Sequence, residues 1–218
     1  MTVQSDSNTT RPATILLVAA PLLMALARVL LVPFDDQKWN DVLNAMAAHQ
    51  GRSDTGWILA LAASGLLGAT ALMLARRLSV AGRTRGAAIV AVSTALGWAG
   101  SAGICASAVV MSVQAKAPDR AVQVQILKDL NAGSTFYIFL LCVVAAVGYV
   151  VLAVGLARTG VASKGAAVLL GLGGVSTLLT MPGPAKPLLV LTALLLTAGH
   201  VLVLRSVVDE PARELVSA

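Results

Sequence analysis

The sequence predicts an all-helical, polytopic membrane bundle, and three observations carry that reading. Of 218 residues, 57% are hydrophobic and only 12% charged, against about 45–50% and about 25% in soluble domains. The apolar residues gather into six stretches near the roughly 20 residues a helix needs to cross a bilayer core. None of these alternates polar and apolar residues as the strands of a membrane barrel do. Sparse charge excludes a water-soluble globule, and the apolar abundance excludes a disordered chain.

The expected spans are Ala13–Pro33, Gly56–Ala75, Ala87–Val113, Thr135–Ala157, Gly165–Met181 and Leu188–Val208. The first is too long for the h-region of a cleavable signal and has no Ala-x-Ala site before Asp35-Asp36, so it reads as an ordinary first helix. Pro21 is expected to kink it. The third carries Gly97, Gly100 and Gly103, with Ala99, Gly103 and Ser107 at four-residue spacing. Small residues so placed let helix backbones approach closely, and this span is expected to be the central one. The fifth is the shortest, and the Pro-rich break from Met181 to Pro187 makes a tight hairpin with the sixth.

Orientation follows from basic residues in short loops. The 76–86 turn holds Arg76, Arg77, Arg83 and Arg85, and the 158–164 turn holds Arg158 and Lys164, with no acid in either. The loops at 34–55 and 114–134 mix Asp35, Asp36, Asp41, Asp54, Asp119 and Asp129 with five basic residues. The acid-free turns are expected to be cytoplasmic, with both termini inside a bacterial inner (plasma) membrane. Residues 1–11 read as a disordered cytoplasmic N-terminus, 12–208 as one six-helix transmembrane domain, and 209–218 as a cytoplasmic tail. The net charge of +6 belongs to this asymmetry; no nucleic-acid motif accompanies it.

Two short outer amphipathic helices are expected as well. Trp39, Val42, Leu43 and Met46 share one helix face, as do Val122, Ile126, Leu127 and Leu130. The two basic turns echo each other: Leu74-Ala75-Arg76 and Arg85-Gly86-Ala87-Ala88 against Leu156-Ala157-Arg158 and Lys164-Gly165-Ala166-Ala167. Outer helix, span, basic turn and span then form a unit used twice, a parallel internal repeat.

Chemistry is sparse. Cys105 and Cys142 fall inside spans and read as small packing residues, and no CxxC, HExxH or Cys/His cluster calls for a metal or cofactor. Arg28 is a charge within a span and so a candidate ligand-binding group, set against the plainer reading that it snorkels outward to Asp35 or Asp36. His200 has no acid in any span to relay a proton to, and reads as a hydrogen-bonded packing residue. The outer face gathers the remaining candidates. Asp35, Asp36, Asp41 and Asp54 are the candidate acids if the chain is an enzyme. Trp39, His49, Trp57, Asp119, Asp129, Asn131 and Tyr137 join Arg28 as candidate ligand contacts. The plainer reading makes them loop carboxylates, helix caps and an interfacial aromatic belt.

The long first outer loop, the Leu-Ala-Arg turn, the Gly148–Arg158 run and the Gly-rich fifth span resemble a broad set of small six-span bacterial membrane proteins of actinobacterial type. That resemblance implies a fold and no activity. The leading functional expectation is a binder of a hydrophobic or lipid-like molecule, or a partner subunit, alone or as a homodimer. A membrane-embedded enzyme on an isoprenoid-type substrate, with an aspartate as general acid, is the first alternative. A transporter or permease subunit is the second. No motif decides whether the chain is an enzyme.

Overall fold

The computed structural model describes residues 7–31, 38–179 and 186–216. Among the described residues there are seven helices and no strand: α1 (Ser7–Leu30), α2 (Trp39–Ala48), α3 (Gln50–Val80), α4 (Thr84–Gln114), α5 (Arg120–Thr159), α6 (Lys164–Leu179) and α7 (Lys186–Val216). The apolar stretches of the sequence fall on α1 and α3 to α7, save residues 32, 33, 180 and 181, which lie outside the described residues. Three helices are long and apolar enough to cross a membrane, over Gln50–Val80, Thr84–Gln114 and Leu140–Thr159. Ile15–Leu30, Lys164–Leu178 and Val190–Ser206 are shorter apolar segments. α1 begins within the segment read as a disordered terminus, and α7 runs into the segment read as a tail.

The six long helices form a ring in chain order. Each packs against its neighbour in sequence, α7 closes back on α1, and α3 also touches α5 across the middle. No helix is central, which corrects the expectation for the third span. The small residues of α4 serve two flanking partners instead of a surrounding set. Ser101 reaches the Ser64 hydroxyl of α3 at 2.9 Å, while Gly97 lies so close to Ala145 of α5 that any side chain would overlap it.

α2 matches its expected amphipathic face: Val42, Leu43 and Met46 are buried and Trp39 packs against the same cluster. The second outer helix is not a separate element. Its residues form the first turns of α5, a continuous helix of 40 residues, about 60 Å long at 1.5 Å per residue. The helix starts at Asp119, whose side chain accepts the Val122 N–H at 3.2 Å, and no proline occurs between 120 and 159 to stop it. Leu127 is buried there and Val124 half-buried, whereas Val122 and Ile126 face outward. α1 likewise runs unbroken through Pro21.

The two basic turns share a left-handed glycine. Gly82 (φ 80°) follows the C-cap Ala81 of α3, and Gly160 (φ 74°) is itself the C-cap of α5; these are the described residues with positive φ. Each glycine follows a fully buried leucine, Leu78 or Leu156, by four residues. The Leu78 carbonyl accepts from Arg83 N–H at 2.9 Å, and that of Leu156 from Ala162 N–H at 3.3 Å. These bonds satisfy carbonyls that a helix end would otherwise orphan.

Gly97→Val should lower stability by on the order of 1–3 kcal/mol, since a side chain there meets Ala145 and both helices must separate. Gly103→Ala should stay within about 0.5 kcal/mol, because nothing lies within 4 Å of a Cβ at that position. Thermal unfolding of the two variants in detergent checks the contrast.

Candidate functional site

The described outer candidates lie on α2, α3 and α5. Asp41 is exposed in the first turn of α2, and His49 is exposed at the α2–α3 junction. Asp119 caps α5, and Asp129 accepts from Gln125 Nε2, one turn back, at 2.9 Å. Asp54 is half-buried and accepts a short hydrogen bond from the buried Ser112 hydroxyl, tying α3 to α4. Trp39 and Trp57 pack into the cluster beneath α2, and Tyr137 is 66% exposed. Asp35 and Asp36 lie outside the described residues, as does the side chain of Asn131. Among the described residues no three His, Cys, Asp or Glu side chains form a metal-binding group.

Arg52 was not singled out by the sequence, yet it joins two helices at this end. Its Nε and Nη2 each donate at 3.0 Å to carbonyls of the last turn of α1, those of Leu30 and Val29. Those carbonyls lack helical partners and carry the negative end of the helix dipole, so a guanidinium suits them.

The remaining candidate, Arg28, has a different setting. It lines a cavity of about 60 Å³ inside the ring, to which all six long helices contribute. Met24 and Arg28 come from α1, Leu67 from α3, Trp98 and Ser101 from α4, Cys142 and Tyr149 from α5, Thr177 from α6, and Thr192 and Leu196 from α7. The space is several times what one water needs, about 10–15 Å³. It is far below the roughly 300–1,000 Å³ of a pocket for a drug-sized molecule.

The polar groups around it are unevenly satisfied. Ser64 spends its single proton on the Ala60 carbonyl at 2.8 Å, so Ser101 donates to Ser64. Tyr149 is 3% exposed and its hydroxyl has no hydrogen-bond partner among the described residues; the Trp98 indole N–H has none either. Arg28 makes no ion pair with a carboxylate among the described residues. The sequence supplies none from the facing helices, since no Asp or Glu occurs between 55 and 118 or between 130 and 208.

Three rings cross the interior behind this cavity. Trp98 and Tyr149 meet edge-to-face at 6.4 Å and 80°, and Tyr149 meets His200 at 6.3 Å and 71°. Such geometry sets a ring edge against a π face. His200 is fully buried, and its Nδ1 lies 2.7 Å from the Leu196 carbonyl. A carbonyl only accepts, so Nδ1 carries the proton and Nε2 is left facing Thr70 Oγ1 at 3.5 Å. The Thr70 proton is itself spent on Leu67 O at 2.8 Å. This is a packing histidine, anchored to its own helix.

Trp98, Tyr149, Ser101 and Thr192 were missed as site residues. One signal was available: tryptophan and tyrosine ordinarily sit at the membrane interface, whereas Trp98 and Tyr149 fall in mid-span. Compared with protein-family models, curated proteins and solved structures, the chain matches none.

A double-mutant cycle checks the Asp54–Ser112 link. Asp54→Ala and Ser112→Ala should each cost on the order of 1–3 kcal/mol, and the double variant should cost little more than either. Simple additivity of the two losses in thermal unfolding would contradict the contact.

Proposed function

We propose that the chain is a six-span integral membrane protein with both termini cytoplasmic, and that it binds a small anion, or the anionic head of a lipid-like molecule, at Arg28 within the helix ring. Residues 12–208 form one transmembrane unit on this reading, crossing a bacterial plasma membrane. The four arginines around the α3–α4 turn and Arg158 and Lys164 of the α5–α6 turn, with no acid among them, support the orientation. The left-handed glycine four residues after a buried leucine, found in the basic turn of each unit, supports a parallel repeat.

One observation carries the ligand class. Around the cavity the Trp98 indole N–H and the Tyr149 hydroxyl have no hydrogen-bond partner, and the Arg28 guanidinium meets no carboxylate, among the described residues. A charge at membrane depth that no carboxylate among the described residues pairs is costly, and a buried donor that makes no hydrogen bond loses the one it made to water. An anion supplies both the counter-charge and the acceptors. Guanidinium favours a planar, two-oxygen group such as a carboxylate. The cavity volume suits a head group and excludes a whole isoprenoid chain, so the cyclase-like alternative draws less support. The dispersal of Asp41, Asp54, Asp119 and Asp129 over the starts of α2, α3 and α5, with Asp119 used as a cap and Asp54 as a link between helices, weakens it further.

Because Trp98 lines the cavity, its fluorescence reports occupancy. Titration of the detergent-purified protein with carboxylates from acetate to dodecanoate should give a saturable change. Arg28→Met should weaken that binding by roughly 10- to 100-fold, the range of a charge-assisted hydrogen bond. Equal titration curves for the wild type and Arg28→Met would contradict the assignment.

A further inference from the structure

A second concavity lies at the other end of the ring, beside the α3–α4 turn and the last turns of α5. Its volume is about 580 Å³, and its lining includes Arg83, Thr84, Arg85, Arg158, Val150 and Val154. All three arginines are exposed. No Asp or Glu occurs in the sequence between 55 and 118 or between 130 and 208, so neither wall offers a carboxylate to neutralise them. The groove also contains the start of α4. Arg83 at its N-cap makes no side-chain capping bond, and the first in-helix amide bond runs from Ala87 N–H to Arg83 O. The N–H groups of residues 84 to 86 therefore have no intrahelical acceptor, and they stand at the positive end of the α4 dipole.

The other wall is of opposite character. Val150 and Val154, one turn apart on α5, are 39% and 44% exposed, and they continue the apolar surface that a bilayer would cover. A basic pocket and an apolar wall thus meet where α5 passes from apolar to basic sequence at Arg158.

We propose that this groove seats an anionic phospholipid. Its phosphodiester is held by Arg83, Arg85, Arg158 and the amides opening α4, and an acyl chain lies along Val150 and Val154. A soluble anion would use the arginines and leave the valine wall without a purpose. A zwitterionic lipid would bring its own cation against three arginines. Basic pockets between spans at the cytoplasmic side suit acidic head groups for these reasons. The site requires that the chain lie in a membrane, and it is independent of any ligand at Arg28.

The test is native mass spectrometry of the full chain in neutral detergent, titrated with phosphatidylglycerol or phosphatidylcholine. One phosphatidylglycerol should bind roughly tenfold or more tightly than phosphatidylcholine, as expected for several arginines near one phosphate. Substitution R83Q/R85Q/R158Q should abolish that preference. Val154→Trp, which keeps every charge and so keeps the topology signal, should weaken phosphatidylglycerol through the apolar wall alone. Arg28→Met should bind it as the wild type does. Equal retention of the two lipids by the wild type would overturn the proposal. So would full retention by both groove variants, or displacement by inorganic phosphate at concentrations comparable to the lipid. If the triple variant does not fold, Val154→Trp and the phosphate competition decide.

Discussion

A single permanent charge inside an apolar ring is the constraint on which the rest of this molecule depends. Arginine does not shed its proton under ordinary conditions, so Arg28 brings a cation wherever α1 places its last turns. The facing helices offer it hydroxyls, a thiol and aromatic rings, and no carboxylate between residues 55 and 118 or 130 and 208. Structural buried charges are as a rule paired. Arg28, half-buried and faced by no carboxylate among the described residues, is instead a charge that a ligand can pair. Elsewhere the charge is graded: Asp119 caps α5 and Asp54 links α3 to α4 at one end, while the α3–α4 and α5–α6 turns at the other carry basic residues and no acid.

The ring that holds Arg28 combines buried leucines with close backbone approaches at glycine. Gly97 seats against Ala145, and Gly174 against Tyr149; the second contact sets the phenol ring in place between α5 and α6. With no hydrophobic effect to drive helices together in lipid, such fits carry much of the association. They also leave the middle narrow. Two turns with a left-handed glycine, each behind a buried leucine, join α3 to α4 and α5 to α6. Where the two halves differ, the cause is local. His49 sits at a break with non-helical backbone angles, which frees α2 to turn away from the α3 axis and pack against α4 and α5. Nothing comparable interrupts α5.

Much of this was legible in the sequence, because each apolar stretch carries its own length and polarity signal. The apolar stretches gave the helices, and the Trp39–Met46 periodicity gave α2 together with its buried face. Arg28 stood out as a charge in the wrong solvent. Other features required the fold. Nothing in the spacing of Trp98, Ser101, Tyr149 and Thr192 reveals that three helices bring them to one cavity, since helix order around a ring is set by pairwise packing. The glycines of α4 announced close packing without saying against how many partners, hence the mistaken central helix. Arg52 acts on carbonyls more than 20 residues away, a relation no local pattern contains. Asp54 and Asp119 drew notice as carboxylates, and their partners, Ser112 and the Val122 amide, explain them without chemistry.

The central claim is that Arg28 is retained for a ligand and at a cost to the fold. The most direct measurement is the melting temperature of ligand-free Arg28→Met beside that of the wild type, each repeated with a saturating carboxylate. A charge kept for binding and not for packing gives a variant at least as stable as the wild type without ligand. Added carboxylate then raises the wild type's melting temperature and leaves the variant's unchanged. A variant that melts well below the wild type without ligand, or one stabilised by the carboxylate as strongly as the wild type, would contradict the account.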